Sequence, residues 1–160
     1  MDNAFITIFE SIVRKAGDFT EAPGVSASNT HPFDERNIHP NLPPSVRHLF
    51  DDGYYVQATF EAYKFLEKRV KQLAGKNHGN GFKLMMEVFD PNKPLLKLTN
   101  MATDSEIDIQ DGYRFIFAGS IRAIRNPRGH EHEIKDSMDE CLDYLSLASL
   151  LLRVLDDISS

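Results

Sequence analysis

Apolar side chains in this chain recur at steps of three and four, and that period decides the fold class before anything else does. Near the end, Met138, Cys141, Leu142, Leu145, Ala148, Leu152 and Leu155 fall on one stripe of a helix. Tyr113, Phe117, Ser120, Ile121 and Ile124 make a second stripe, and Tyr55, Ala58, Thr59, Ala62, Phe65, Leu66, Arg69, Val70 and Leu73 a third. A strand asks for alternation at every second residue, and no strand-rich region occurs. The pattern predicts an all-α helical bundle. The last stripe fits either a core or a dimer face.

Breakers divide the chain. Phe5, Ile8, Phe9, Ile12, Val13 and Ala16 predict an amphipathic N-terminal helix over residues 1–17, stopped at Gly17. Residues 18–36 are rich in Ala, Pro, Gly, Ser, Asn and Thr and predict a flexible linker. The compact domain is expected over residues 37–160. Pro43 and Pro44 suit the first turn of a helix that carries Val46, Leu49 and Phe50 and ends at Asp51-Asp52-Gly53. The long helix after it is closed by Gly75, and a short one over Phe82 to Phe89 is broken by Asp90-Pro91-Asn92-Lys93-Pro94. Leu95, Leu96 and Leu98 fit a brief extended segment or a packed loop. The helix through Ile124 should stop at Pro127, with Asn126 at its boundary, because the residue before a proline is pushed out of the helical region. The last helix should begin near Asp136, with Ser137 and Glu140 forming a capping box.

At 160 residues, 41% hydrophobic and 26% charged, the composition is that of a soluble globular domain. The most apolar stretch, Leu145 to Leu155, is interrupted by Ser146, Ser149 and Arg153 and predicts no membrane span. The opening Met1-Asp2-Asn3 has neither a basic leader nor a cleavage site, so a cytoplasmic protein is the expectation. Cys141, the one cysteine, has no intramolecular partner and should pack as a small hydrophobe. A net charge of −6 argues against general coating of polyanions. Local potential governs encounter more than the total does, and Arg114, Arg122, Arg125, Arg128 and Lys135 share one short window with Asp111, Glu131 and Glu133.

Several kinds of chemistry lack their residues. His31, His39, His48 and His78 are scattered, and His130 with His132 has no cysteine or spaced second pair, so neither a metal site nor a cofactor is expected. No nucleophile elbow occurs, and Cys141 lies within an apolar stripe. Asp51-Asp52 and Asp156-Asp157 read as helix ends. What remains is Ile124-Arg125-Asn126-Pro127-Arg128-Gly129-His130-Glu131. Here a helix should present Arg125 on its last turn, Pro127 turn the chain, Gly129 permit a left-handed turn, and His130 return before the next helix. A permanently charged fork suited to phosphate and a group that exchanges protons near neutral pH would then sit together. Asn126 could orient either side chain or hydrogen-bond the turn, and Arg128 would add a second positive charge. The same residues also make an ordinary turn with a capping histidine.

Arg125-Asn126-Pro127-Arg128-Gly129-His130, between two long helices, resembles the Arg-Asn-x-x-x-His motif of the HEPN superfamily. Asp51-Asp52-Gly53-Tyr54-Tyr55-Val56-Gln57-Ala58 leading into Glu61-Ala62-Tyr63-Lys64-Phe65-Leu66-Glu67 is similar to the opening helix of such domains. Ile38-His39-Pro40 and Phe117-Ala118-Gly119-Ser120-Ile121 are similar to a bacterial and phage-associated family long labelled hypothetical, the Ymh family. The likeness spans about residues 37 to 156.

The resemblance implies a HEPN-like bundle that dimerises and joins two copies of the motif in one cleft. It implies a metal-independent endoribonuclease of the toxin or phage-defence kind, with an antitoxin or other regulatory protein as a partner. Arg125 would hold the scissile phosphate, His130 would transfer a proton, and Asn126 would fill the polar position after the arginine. Arg122, Arg128 and His132 are the expected RNA contacts around them. Two other readings stay open on the sequence. One is a non-catalytic module that binds RNA or a nucleotide through the same turn. The other is a structural protein that dimerises through the Met138–Leu155 stripe and docks through its first helix.

Overall fold

Nineteen residues with an apolar stripe and no internal glycine or proline form the helix on which the rest is assembled, Tyr55–Leu73. In the computed structural model, which describes residues 30–131 and 133–159 (the side chain of Ser159 excepted), every regular element is helical. In chain order these are α1 (Pro32–Glu35), α2 (Pro44–Asp51), α3 (Tyr55–Leu73), α4 (Gly81–Val88) and α5 (Asp104–Ser120). A π-helical turn (Ile121–Arg125), α6 (Asn126–His130) and α7 (Met138–Ser159) follow. The helix expected over residues 1–17, most of the expected linker, and His132 lie outside the described residues.

Local chemistry sets the ends. Pro44 opens α2, and Gly53 and Gly75 take positive φ of 79° and 62° where α2 and α3 close. The capping box at α7 is present: Glu140 accepts from the Ser137 N–H and hydroxyl, and the Glu140 N–H donates back to Ser137 Oγ. A second box, Thr103 with Glu106, starts α5 and was not anticipated. Leu95, Leu96 and Leu98 form a packed loop. The Leu95 and Leu96 N–H groups both donate to Val88 O, and Gln110, fully buried on α5, holds the loop in place. Its amide donates to Phe89 O and Leu96 O, while its Oε1 accepts from Leu98 N–H.

α3 packs on α2 and α7, and α5 packs on α4. Between them lie Tyr63, Leu66, Val70, Leu84, Met85, Phe89, Phe117, Leu145 and Leu152, with the Phe89 and Phe117 rings stacked at 4.5 Å. No helix of the described residues is long and apolar enough to cross a membrane.

One expectation is corrected here, and one pair of alternatives is decided. The linker does not run to residue 36: Pro32–Glu35 is a helical turn, and Phe33 is buried 5.1 Å from the Phe50 ring. One aromatic ring offers enough apolar area to order a short polar segment, which an averaged composition hides. The Met138–Leu155 stripe is core and not a dimer face. Cys141, Leu142, Leu145, Ala148, Leu151, Leu152 and Leu155 are all buried within the chain, and only Met138 among the stripe residues is exposed. The exposed apolar residues are instead concentrated on α5, at Ile107, Ile109, Phe115 and Ile116.

Candidate functional site

Pro127 does not end the helix that carries Arg125. Asn126 keeps helical angles (φ −64°, ψ −47°), and its N–H donates five residues back to Ile121 O. Helical structure then continues through His130, and the Glu131 N–H closes it on Pro127 O at 2.8 Å. The physical reason lies in the wider turn. A regular helix would ask the proline nitrogen for a hydrogen bond it cannot donate and would press its ring on the preceding turn. With a π turn ahead of it, Pro127 falls at the start of a fresh helical turn, where a missing N–H is tolerated.

Gly129 is likewise not in a left-handed turn, since the glycines with positive φ are at other positions. It serves close approach. A Cβ at Gly129 would lie 2.7 Å from Cε2 of Phe60 on α3. Phe60 is therefore a platform under the site. The Arg125 guanidinium stacks over it at 5.4 Å from the ring centroid, and Lys64 lies over it at the same distance.

Arg125 is positioned but not neutralised. Its Nη1 donates to Asn126 Oδ1 at 3.1 Å, and among the described residues no carboxylate pairs with it. Its Nε is buried without a hydrogen-bond partner, a donor whose isolation is costly in a folded protein. Asn126 is thus the side chain that the guanidinium meets.

Arg128 behaves oppositely, and its assignment as an RNA contact is corrected. Its side chain is 6% exposed. Nε and Nη2 grip Asp136 at 2.7 and 2.5 Å, Nη1 donates to Ile124 O, and the guanidinium lies 4.3 Å from the Tyr144 centroid. Burial opposes its charge, but the paired Asp136 carboxylate outweighs burial and holds the guanidinium charged more firmly than usual. Arg128 is an internal staple between α6 and α7. Arg122, by contrast, is exposed and stacks over Phe82 at 5.1 Å.

His130 is exposed at the end of α6 and makes no hydrogen bond with Arg125 or Asn126. Helical structure joins the two residues, and no hydrogen bond links the imidazole to the guanidinium. The helix expected to stop at Pro127 runs on to His130, so helix and not a turn connects the two residues.

Cys141 lies next to this region without taking part. It is fully buried on α7, accepts a hydrogen bond from the Thr59 hydroxyl at 3.5 Å, and burial pushes its thiol up to about 11. Among the described residues no group of three or more His, Cys, Asp or Glu side chains is arranged to hold a metal ion. Phe60, Asp136 and Tyr144 are the site residues sequence reasoning missed. Phe60 carried one usable signal, an aromatic standing off the apolar stripe of α3, whereas Asp136 and Tyr144 carried none.

Residues 36–155 match the model of a family described as "Protein of unknown function (Hypoth_ymh)". No curated protein and no solved structure matches the chain.

Proposed function

We propose that this chain, which belongs to the Hypoth_ymh family of proteins of unknown function, acts on RNA as a HEPN-type endoribonuclease. The observation that carries the proposal is the state of Arg125: oriented by Asn126 and Phe60, left without a carboxylate, and followed at His130 by an exposed imidazole. An unneutralised guanidinium fork is a phosphate ligand. RNA supplies its own nucleophile. The 2′-hydroxyl gives its proton to a base and attacks phosphorus, and the 5′-oxygen leaves with a proton from an acid, so cleavage needs proton transfer and charge stabilisation at phosphate. Arg125 serves the phosphate and His130 the protons.

By the HEPN resemblance, a complete site joins two copies of the Arg125–His130 segment in one cleft. Exposed apolar side chains on α5, Ile109, Phe115 and Ile116, are available to that copy. In this reading the protein is a toxin or phage-defence effector held in check by an antitoxin or other regulatory partner.

The test is incubation of the full chain with total RNA in EDTA, beside Arg125→Ala and His130→Ala. Cleavage by the wild type and loss in both variants is expected. Equal cleavage by all three would refute the proposal. A second reading is favoured by the separation of His130 from Arg125: a non-catalytic module that binds RNA or a nucleotide through Arg125 alone. It requires saturable RNA binding lost in Arg125→Ala, kept in His130→Ala, and no product.

A further inference from the structure

An open pocket of about 530 Å³ adjoins the Arg125 platform. Its lining includes Tyr54, Gln57, Phe60, Glu131, Lys135 and Asp136. Phe60 is shared: the ring that carries the Arg125 guanidinium also walls this pocket. The volume falls within the span of small-ligand sites, about 300 to 1,000 Å³.

The charges around it cancel. Arg128 is paired with Asp136, and Lys135 is matched in number by Glu131. A phosphate would gain little there. An uncharged planar ring is better suited, because Tyr54 is 57% exposed and so has a ring available for stacking, and the exposed Gln57 amide both donates and accepts at a ring edge. Aromatic stacking joined to hydrogen bonds at the base edge is how proteins hold unpaired RNA bases. The Phe60 wall places an anion ligand, Arg125, next to this neutral pocket, and a nucleotide is a neutral ring joined to an anion.

We infer that the Tyr54–Gln57–Phe60 pocket is a nucleobase subsite, which takes the base of the RNA nucleotide whose phosphate lies on Arg125. The inference rests on the RNA reading proposed above and adds to it the means by which the protein selects unpaired RNA. A base within a duplex is stacked on its neighbours and cannot enter.

The experiment uses the full chain with four probes: AMP, UMP, adenosine and inorganic phosphate. Dissociation constants come from ligand-observed NMR on the wild type, Tyr54→Ala, Tyr54→Phe and Arg125→Ala. Loss of one base–aromatic stack corresponds to weakening of about tenfold. Tyr54→Ala should therefore weaken AMP, UMP and adenosine by about that factor and leave phosphate unchanged, while Tyr54→Phe keeps wild-type affinity. Because the chain contains no tryptophan, Tyr54→Trp adds a single fluorophore whose emission should be quenched by AMP and not by phosphate. Equal binding of AMP and phosphate by the wild type, or unchanged AMP binding in Tyr54→Ala, would overturn the subsite. The two readings fail separately. Should Arg125→Ala cut RNA as the wild type does while Tyr54→Ala still loses adenosine, the nuclease proposal falls and the subsite stands. Arg125-dependent cleavage with no effect of Tyr54→Ala gives the reverse.

Discussion

Replacing Asp136 by alanine tests whether the site is built on a buried charge pair. Arg128 and Asp136 are 6% and 3% exposed in their side chains and meet through two hydrogen bonds of 2.7 and 2.5 Å. Removing the carboxylate leaves a guanidinium that cannot lose its proton in a nearly buried position, with Ile124 O and the Tyr144 face for compensation. Breaking such a pair from one side costs about 3–5 kcal/mol. For a domain of this size that corresponds to a fall in melting temperature of about 10–15 °C. Chemical denaturation at neutral pH, with the slope checked for constancy, gives the free energy directly. Arg128→Met with Asp136→Leu is the companion. With both charges gone, the double variant should recover most of the loss, because a buried pair is of little net advantage over apolar groups of similar volume. A loss below about 1 kcal/mol in Asp136→Ala, the range of exposed pairs, would show that water reaches Arg128, and the distinction drawn between Arg128 and Arg125 would collapse.

Three further outcomes follow from the packing. Gly129→Ala puts a methyl 2.7 Å from Phe60 Cε2; displacement of the ring should cost about 1–3 kcal/mol in urea unfolding, and Phe60→Leu in the same chain should return part of it. Gln110→Leu leaves Leu98 N–H, Phe89 O and Leu96 O without their partner, with an expected loss of at least about 2 kcal/mol and faster amide exchange at Leu98. Cys141, buried with its thiol near 11, should resist a thiol reagent at pH 8 in the folded protein and react at the unfolding-limited rate; rapid stoichiometric labelling without denaturant would contradict its burial.

The helices were legible because their signals are local and repeated. Pro44, Gly53, Gly75 and the Ser137–Glu140 box each act within one turn of where they stand. Apolar periodicity likewise picked out Ala58, Ala62, Leu66 and Val70 as buried. The stripe on α3 was nevertheless incomplete. Tyr63 and Glu67 are buried as well, and both have a partner beyond their own helix: the Tyr63 hydroxyl donates to Tyr144 O, and Glu67 accepts from the Gly81 N–H besides pairing with Lys71. Burial also raises the Tyr63 hydroxyl above the ordinary tyrosine range. Such partners lie outside any window over which a period can be read. Phe33 escaped for a related reason, since its ring meets Phe50 and Arg47 on the next helix.

The site was legible in its residues and not in its shape. Arg125, Asn126 and His130 stand out as residue types, and the bond from Arg125 to Asn126 is the one the order of the two suggests. The rule that a residue before proline leaves the helical region is a tendency of regular helices, and a π turn evades it by changing which carbonyl each N–H meets. That single evasion has a functional consequence. A bent corner would have held arginine and histidine together at a turn in each of the two copies. A helix that runs through Pro127 joins them without a turn, and in the nuclease proposed above a second copy would bring proton transfer and phosphate binding to one cleft. Dilution below the dimer constant should then abolish cleavage while phosphate binding at Arg125 persists. A mixture of Arg125→Ala and His130→Ala chains should regain part of the activity that each lacks alone, through sites that combine one copy's intact histidine with the other's intact arginine. A fully active monomer would show that the two groups meet within one chain after all.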